Sequence, residues 1–237
     1  MLEIEDLCVE VAGKSVLDGV TLHLPPGELH VLLGPNGSGK SSLLASILGL
    51  PPYRITRGAI RLDGVPLTDL PLHERARLGI GMAFQRPPGL DGVSVSAFAE
   101  ALGAGETLAR EAAALDLTDF VRRDMNVGFS GGEIKRWEIL KLFLQDPRLM
   151  LFDEPESGVD LEHVIAIGQA IRRMVRSPDR QDRPRAGLVI THTGLILRHV
   201  AADCAHIVRD GRLIHSGDPQ TLFTHIQTHG YSVPDAA

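Results

Sequence analysis

Cysteine is scarce in this 237-residue chain, and aromatic residues make up only 4% of it. The two cysteines, Cys8 and Cys204, form no metal-spaced pair and are too few for a disulfide framework. Two buried, reduced thiols are expected. No uncharged apolar run reaches the ~18 residues that would cross a bilayer. The first six residues carry acids, where a secretory leader has basic and then apolar residues, so a cytoplasmic chain is expected. Positive charge is not in excess. Lys and Arg number 24 against 30 Asp and Glu, a net of −6, so no nucleic-acid partner is expected. The six arginines between positions 172 and 185 are interrupted by Asp179 and Asp182 and read as a solvated loop. No internal repeat is visible. What remains, 43% hydrophobic and 23% charged, is globular composition for one large domain, with or without an inserted lobe.

Strand patterning covers residues 2–11, 19–24 and 28–33, followed by a helix over 40–48 that Gly49, Pro51 and Pro52 end. Asp63-Gly64 and Asp210-Gly211 each sit between two short apolar runs as hairpin turns. Residues 71–78 read as a short helix, 79–84 as a strand, and the Ala- and Leu-rich stretch 94–120 as two helices. Helices at 131–145 and 161–175 alternate with strands at 149–152 and 187–191, and strands at 205–209 and 212–216 close the series. This order predicts an α/β fold with a largely parallel sheet covered on both faces, an antiparallel front part and an inserted helical lobe.

Gly34-Pro35-Asn36-Gly37-Ser38-Gly39-Lys40-Ser41 fits G-x-x-x-x-G-K-[ST] between a strand and a helix, with Ser42 continuing into that helix. The glycines let backbone N–H groups point inward at a phosphate, and the helix adds the positive end of its dipole. Lys40 would reach the β- and γ-phosphates, and the Ser41 hydroxyl would bind Mg²⁺. Downstream, Leu149-Met150-Leu151-Phe152 is followed by Asp153-Glu154. Two carboxylates at the C-terminal end of a buried strand stand where open α/β sheets bind ligands. Asp153 would hold Mg²⁺, and Glu154 would orient and deprotonate the attacking water.

Phe129-Ser130-Gly131-Gly132-Glu133 resembles the signature loop of ABC-type ATPases. The order of phosphate loop, Gln85, Ser130-Gly131-Gly132, Asp153-Glu154, Ser157-Gly158-Val159-Asp160 and His192 is similar to that superfamily along the whole chain. The resemblance implies a single ABC ATPase domain over 1–237. It would have a RecA-like core, an antiparallel β subdomain and a short inserted helical subdomain near 86–146. It also implies ATP and Mg²⁺ as ligands and a head-to-tail dimer in which Ser130, Gly131 and Gly132 face the partner's nucleotide. Gln85 would then touch Mg²⁺ and the attacking water, His192 the γ-phosphate, and Asp160 would link the two sites. Many members stack an aromatic on adenine after the first strand. Here Val11 stands in that region, could give only apolar contact, and implies loose base selectivity.

Several segments resemble the SufC family, soluble ATPases of Suf-type iron–sulfur cluster assembly. They are Gly81-Met82-Ala83-Phe84-Gln85 with Gly92-Val93-Ser94, and the run from Asn126 to Glu133 with Lys135-Arg136 and Glu138. Tyr53, Thr56, Gly58, Ser157-Gly158-Val159-Asp160 and Gly230-Tyr231 agree with it. Pro155 and the short helical stretch between Val95 and Asn126 depart from it. The resemblance implies a SufB/SufD-type scaffold partner that docks on residues 86–98. The alternative is the nucleotide-binding subunit of a membrane transporter, docking a permease there. A third class, a module that binds ATP without turnover, is opposed by the intact set Lys40, Asp153, Glu154 and His192.

Overall fold

Two large sheets and one two-stranded pair share the chain in the computed structural model, which describes residues 1–232. Strands β1 (Leu2–Val11) and β2 (Lys14–Leu24) pair antiparallel. Ala12 and Gly13 turn this hairpin with φ of 49° and 77°, the left-handed pair that a tight two-residue turn needs. The chain then crosses to the second sheet through β3 (Leu29–Leu33) and α1 (Lys40–Leu48). It returns as β4 (Arg54–Leu62) and β5 (Val65–Pro66), giving a four-stranded sheet of order β2-β1-β4-β5. Pairing of β1 with β4 slips between Glu5 and Cys8, opposite Gly58. Gly58 has φ of 83°, and a side chain there would strike the carbonyl oxygens of Glu5 and Asp6, so the bulge requires glycine.

After α2 (Leu72–Arg77) the second sheet resumes with β6 (Ile80–Ala83). A mainly helical excursion follows: β7 (Leu90–Ser94), α3 (Val95–Ala101), α4 (Gly105–Ala114), a 3₁₀ turn (Thr118–Phe120), β8 (Asp124–Met125) and α5 (Gly131–Gln145). The two helices expected over 94–120 are α3 and α4. The β7–β8 pair was not legible, because two-residue β8 has no periodicity to read. The core resumes as β9 (Leu149–Asp153), α6 (Leu161–Arg176), β10 (Ala186–Ile190), α7 (Leu197–Val200), β11 (Cys204–Arg209), β12 (Arg212–Gly217) and α8 (Pro219–His229). The sheet order is β12-β11-β3-β10-β9-β6, parallel except for β12. Strands β3, β9 and β10 are buried throughout, which is why their sequences are apolar apart from His30 and the terminal Asp153.

One hydrophobic core lies between this sheet and α5 and α6, and a second between the two sheets and α1. Trp137 of α5 is fully buried and meets Phe98 of α3 edge-on, with ring centroids 6.1 Å apart, tying the excursion to the core. Arg75 of α2 is buried and donates to Ser46 O and Ile47 O at 2.7 and 2.9 Å, satisfying carbonyls at the end of α1.

Two expectations need correction. Cys8 and Cys204 are free thiols, but both are half-buried rather than buried; Cys8 alternates with Leu7 and Val9, the residues of β1 that face the core. The arginine run is only partly a loop. Arg172, Arg173 and Arg176 lie on α6, and Arg185 is buried against Asp146 and Met174 O. Asp179 is also buried; it accepts from Gln181 N and Arg183 N at 2.9 Å and knots the turn. Among the described residues, no helix is long and apolar enough to cross a membrane.

Candidate nucleotide site

The parallel strands all end at one edge, where the loop after β3 wraps into α1. Gly39 is the N-cap of α1 with φ of 105° and has no side chain to cap the helix, so the first-turn N–H groups are left for a ligand. A Cβ on Gly39 would lie 2.9 Å from Val16 O and from Leu17 Cδ2, so only glycine lets the loop pass beneath β2. Gly34 lies behind the loop, packed on the Val208 carbonyl. Lys40 is buried and its ammonium folds back onto the loop, donating to Gly34 O at 2.9 Å and Pro35 O at 2.8 Å. Burial lowers its pKa, while Glu154 and Asp153 pull the other way.

At the next strand but one, Asp153 ends β9. Ser41 Oγ donates to Asp153 Oδ1 at 3.2 Å. Burial raises the Asp153 pKa, opposed first by that hydrogen bond. A hydroxyl and a carboxylate side by side form an oxygen donor set suited to a hard divalent cation. Glu154 follows with φ of 49°, and its carboxylate sits between two groups. Gln85 Nε2 donates to Oε2 at 2.6 Å, and His192 Nε2 lies 2.6 Å from Oε1.

Supports for this clamp come from residues whose roles were not read from the sequence. Glu138 of α5, fully buried, accepts the Phe84 N–H at 2.7 Å and pairs with Lys141 at 2.6 Å, fixing the chain just before Gln85. Lys135 of α5 donates to the Glu154 carbonyl at 2.9 Å. Glu156 is buried and accepts from Thr191 and Thr193, the residues flanking His192; burial raises its pKa. Charged residues inside a helix pattern, or next to Asp153-Glu154, were the available signal.

The cleft above the loop has a volume of about 960 Å³, within the span of small-molecule sites. Pro35 to Ser42 line it together with Gln85, Glu154 and His192. Val11 does not line it. The Ala12-Gly13 turn pairs Val11 with Lys14 away from the loop, and Ser15 and Val16 at the start of β2 take the place expected of Val11. Tyr231 adds an aromatic to the cleft wall, and Asp210 and Gly211 from the β11–β12 turn also line it. Ser130, Gly131 and Gly132 are not among the lining residues either. They open α5, with Ser130 accepting from Glu133 N at 3.4 Å while the Glu133 carboxylate accepts from Ser130 N at 2.6 Å. Asp160 is exposed at the N-cap of α6, where it accepts from His163 N at 3.0 Å, a hydrogen bond that holds its carboxyl below the usual range.

Comparison with known proteins agrees with this geometry. The family model for the ABC transporter domain matches residues 17–157. SufC of Escherichia coli, named a probable ATP-dependent transporter, is 37% identical, covering 98% of this chain and 97% of its own length. A chain of Streptococcus pyogenes serotype M3, named a probable ABC transporter ATP-binding protein, is also 37% identical over 98% of this chain and 94% of its own. Among solved structures, an ATP-binding cassette crystallised as a post-hydrolysis dimer with ADP and Pi superposes with a TM-score of 0.78 at 21% identity, covering 92% of this chain and 99% of that one. On its sequence and its fold, this chain is a member of the ABC transporter family and an ATPase.

Proposed function

We propose that this chain is a cytoplasmic, Mg²⁺-dependent ATPase that closes head to tail with a second copy around ATP and drives a change of shape in a SufB/SufD-type iron–sulfur scaffold. In this reading residues 86–146 are the inserted helical subdomain of a single domain. The observation that carries the hydrolytic part is Glu154 held by Gln85 and His192 at the mouth of the phosphate loop. Each carboxylate oxygen has a second lone pair, so Glu154 can accept a proton from a water while both contacts persist. Lys40 and the N–H groups opening α1 bind the phosphates. Ser41, Asp153 and Gln85 would hold Mg²⁺, which supplies charge neutralisation on the β- and γ-phosphate oxygens. His192 orients Glu154 and meets the γ-phosphate. Ser130, Gly131 and Gly132 stand outside the cleft of their own chain, and a second copy gives them a nucleotide to face.

The scaffold role rests on the SufC-like run Asn126-Val127-Gly128-Phe129-Ser130-Gly131-Gly132-Glu133. The second reading, a transporter subunit, is favoured by Pro155 and by the streptococcal relative's name at equal identity. Both readings place the partner on residues 86–98, where Leu90 and Val93 are exposed. Fractionation of source cells separates them. Co-elution of the soluble chain with a SufB-like protein supports the scaffold role, and sedimentation with membranes through a permease refutes it.

A further inference from the structure

Away from the nucleotide edge, three metal-ligating side chains converge at the opposite ends of β3 and β11. The parallel register places Cys204 beside His30, with His206 two residues further along. Side chains alternate along a strand, so all three leave one face, the one that Leu32 and Val208 turn toward the four-stranded sheet. One donor atom from each lies within 4.8 Å of the others. His206 Nε2 is 2.9 Å from His30 Nδ1. The outer nitrogens each meet an oxygen: His30 Nε2 is 2.8 Å from Glu28 Oε2, and His206 Nδ1 is 2.7 Å from Ser216 Oγ. Both imidazoles are buried, and Cys204 is half-buried beside them.

A hydrogen-bonded histidine pair accounts for four ring nitrogens, while the adjacent Cys204 thiol makes a weak contact of 3.6 Å with its own neighbour's carbonyl, Ala205 O. The arrangement matches what metal-binding histidines require, an outer N–H donated to a carboxylate or hydroxyl that fixes ring orientation while the inner nitrogen faces the ion.

We propose that His30 Nδ1, His206 Nε2 and Cys204 Sγ form a binding site for a borderline-soft divalent ion of the zinc class. Two nitrogens and a sulfur suit such an ion and do not suit Mg²⁺. Tetrahedral bonds of ~2.0–2.3 Å set the ligand atoms roughly 3.3–3.6 Å apart, so the two inner nitrogens open by about 0.4 Å. On binding, the His206 ring proton moves from Nε2 to Nδ1, where Ser216 Oγ accepts it. The Cys204 thiol gives its proton to solvent as the metal–sulfur bond forms. Water takes the fourth position. The ion clasps β11 to β3, the strand that leads into the phosphate loop, from the edge opposite the cleft.

Co²⁺ added to the full, chelator-treated chain tests this, because thiolate ligation gives a sulfur-to-cobalt charge-transfer band. The wild type is expected to bind about one equivalent with that band, and Zn²⁺ is expected to bleach it. The band should persist in Cys8→Ser and vanish in Cys204→Ser, an isosteric change at a half-buried position that circular dichroism can certify as folded. His206→Asn should weaken Co²⁺ binding at least tenfold. No band in the wild type, a band that survives Cys204→Ser, or unchanged affinity in a folded His206→Asn chain would overturn the site.

Discussion

Replacing Glu154 by Gln changes one atom in the clamp and leaves its shape. The amide can still accept from one neighbour, and the Gln85 amide can flip to present its oxygen to the new NH₂ group, so the contact now 2.6 Å long survives as a neutral one. No hydrogen bond of Lys40 or Ser41 involves this side chain. Lys40 is held by Gly34 O and Pro35 O, and Ser41 by Asp153. Nucleotide affinity is therefore expected to stay within about a factor of two, or ~0.4 kcal/mol. What disappears is a group able to take a proton. General-base catalysis contributes about 10²–10⁴-fold, equivalent to roughly 2.7–5.5 kcal/mol of barrier. Phosphate release should fall by that factor while calorimetric ATP binding holds, and Mg-ATP should accumulate a dimer in sedimentation velocity. Turnover within tenfold of wild type, with binding intact, would refute Glu154 as the base.

Lys40→Ala should weaken ATP binding by about 1.5–3 kcal/mol, the worth of hydrogen bonds from a charged donor, and bring phosphate release to background; equilibrium titration checks it. His192→Ala should lower kcat by a larger factor than it raises KM, because it loses the contact that orients Glu154 as well as one to the γ-phosphate, while the loop keeps its grip on the other phosphates; steady-state kinetics giving the opposite split would count against it. Arg75→Met should destabilise the fold by about 3 kcal/mol without touching the cleft, because the carbonyls of Ile47, Thr68 and Leu70 lose their donor; urea unfolding measures it.

Much of this architecture is legible in the sequence because its signals are local. The phosphate loop is a contiguous motif, the Asp-Gly turns are set by φ > 0 at both residues, and the runs of β3, β9 and β10 report double-sided burial. Less was legible where a role depends on residues distant in sequence. Tyr231 enters the cleft from beyond α8, and nothing in its neighbours announces a ligand. Val11 and Val16 are both apolar residues near a turn; which one faces the cleft depends on where the hairpin reverses. Glu138 and Glu156 look like surface charges until their partners Phe84 N and Thr191 are placed beside them. Arg185 is buried because Asp146, thirty-nine positions away, meets it.

Those distant contacts have one organiser in α5. The helix begins at Ser130, whose capping box with Glu133 satisfies their two backbone N–H groups and leaves those of Gly131 and Gly132 in the open first turn. One turn on, Lys135 holds the Glu154 carbonyl; the next, Glu138 holds the Phe84 N–H ahead of Gln85. Trp137, buried between them, prevents the helix from rolling without disturbing the core. The residues that face a partner's nucleotide in the proposed dimer thus share a rigid rod with the residues that set Gln85 and Glu154 in their own chain. A push on Ser130 cannot be absorbed by a loop; it shifts the supports on both sides of the carboxylate together. In the proposed dimer, occupancy of one site would in this way be felt as geometry at the other, and a partner docked on residues 86–98, which follow Gln85 directly, would feel the same shift.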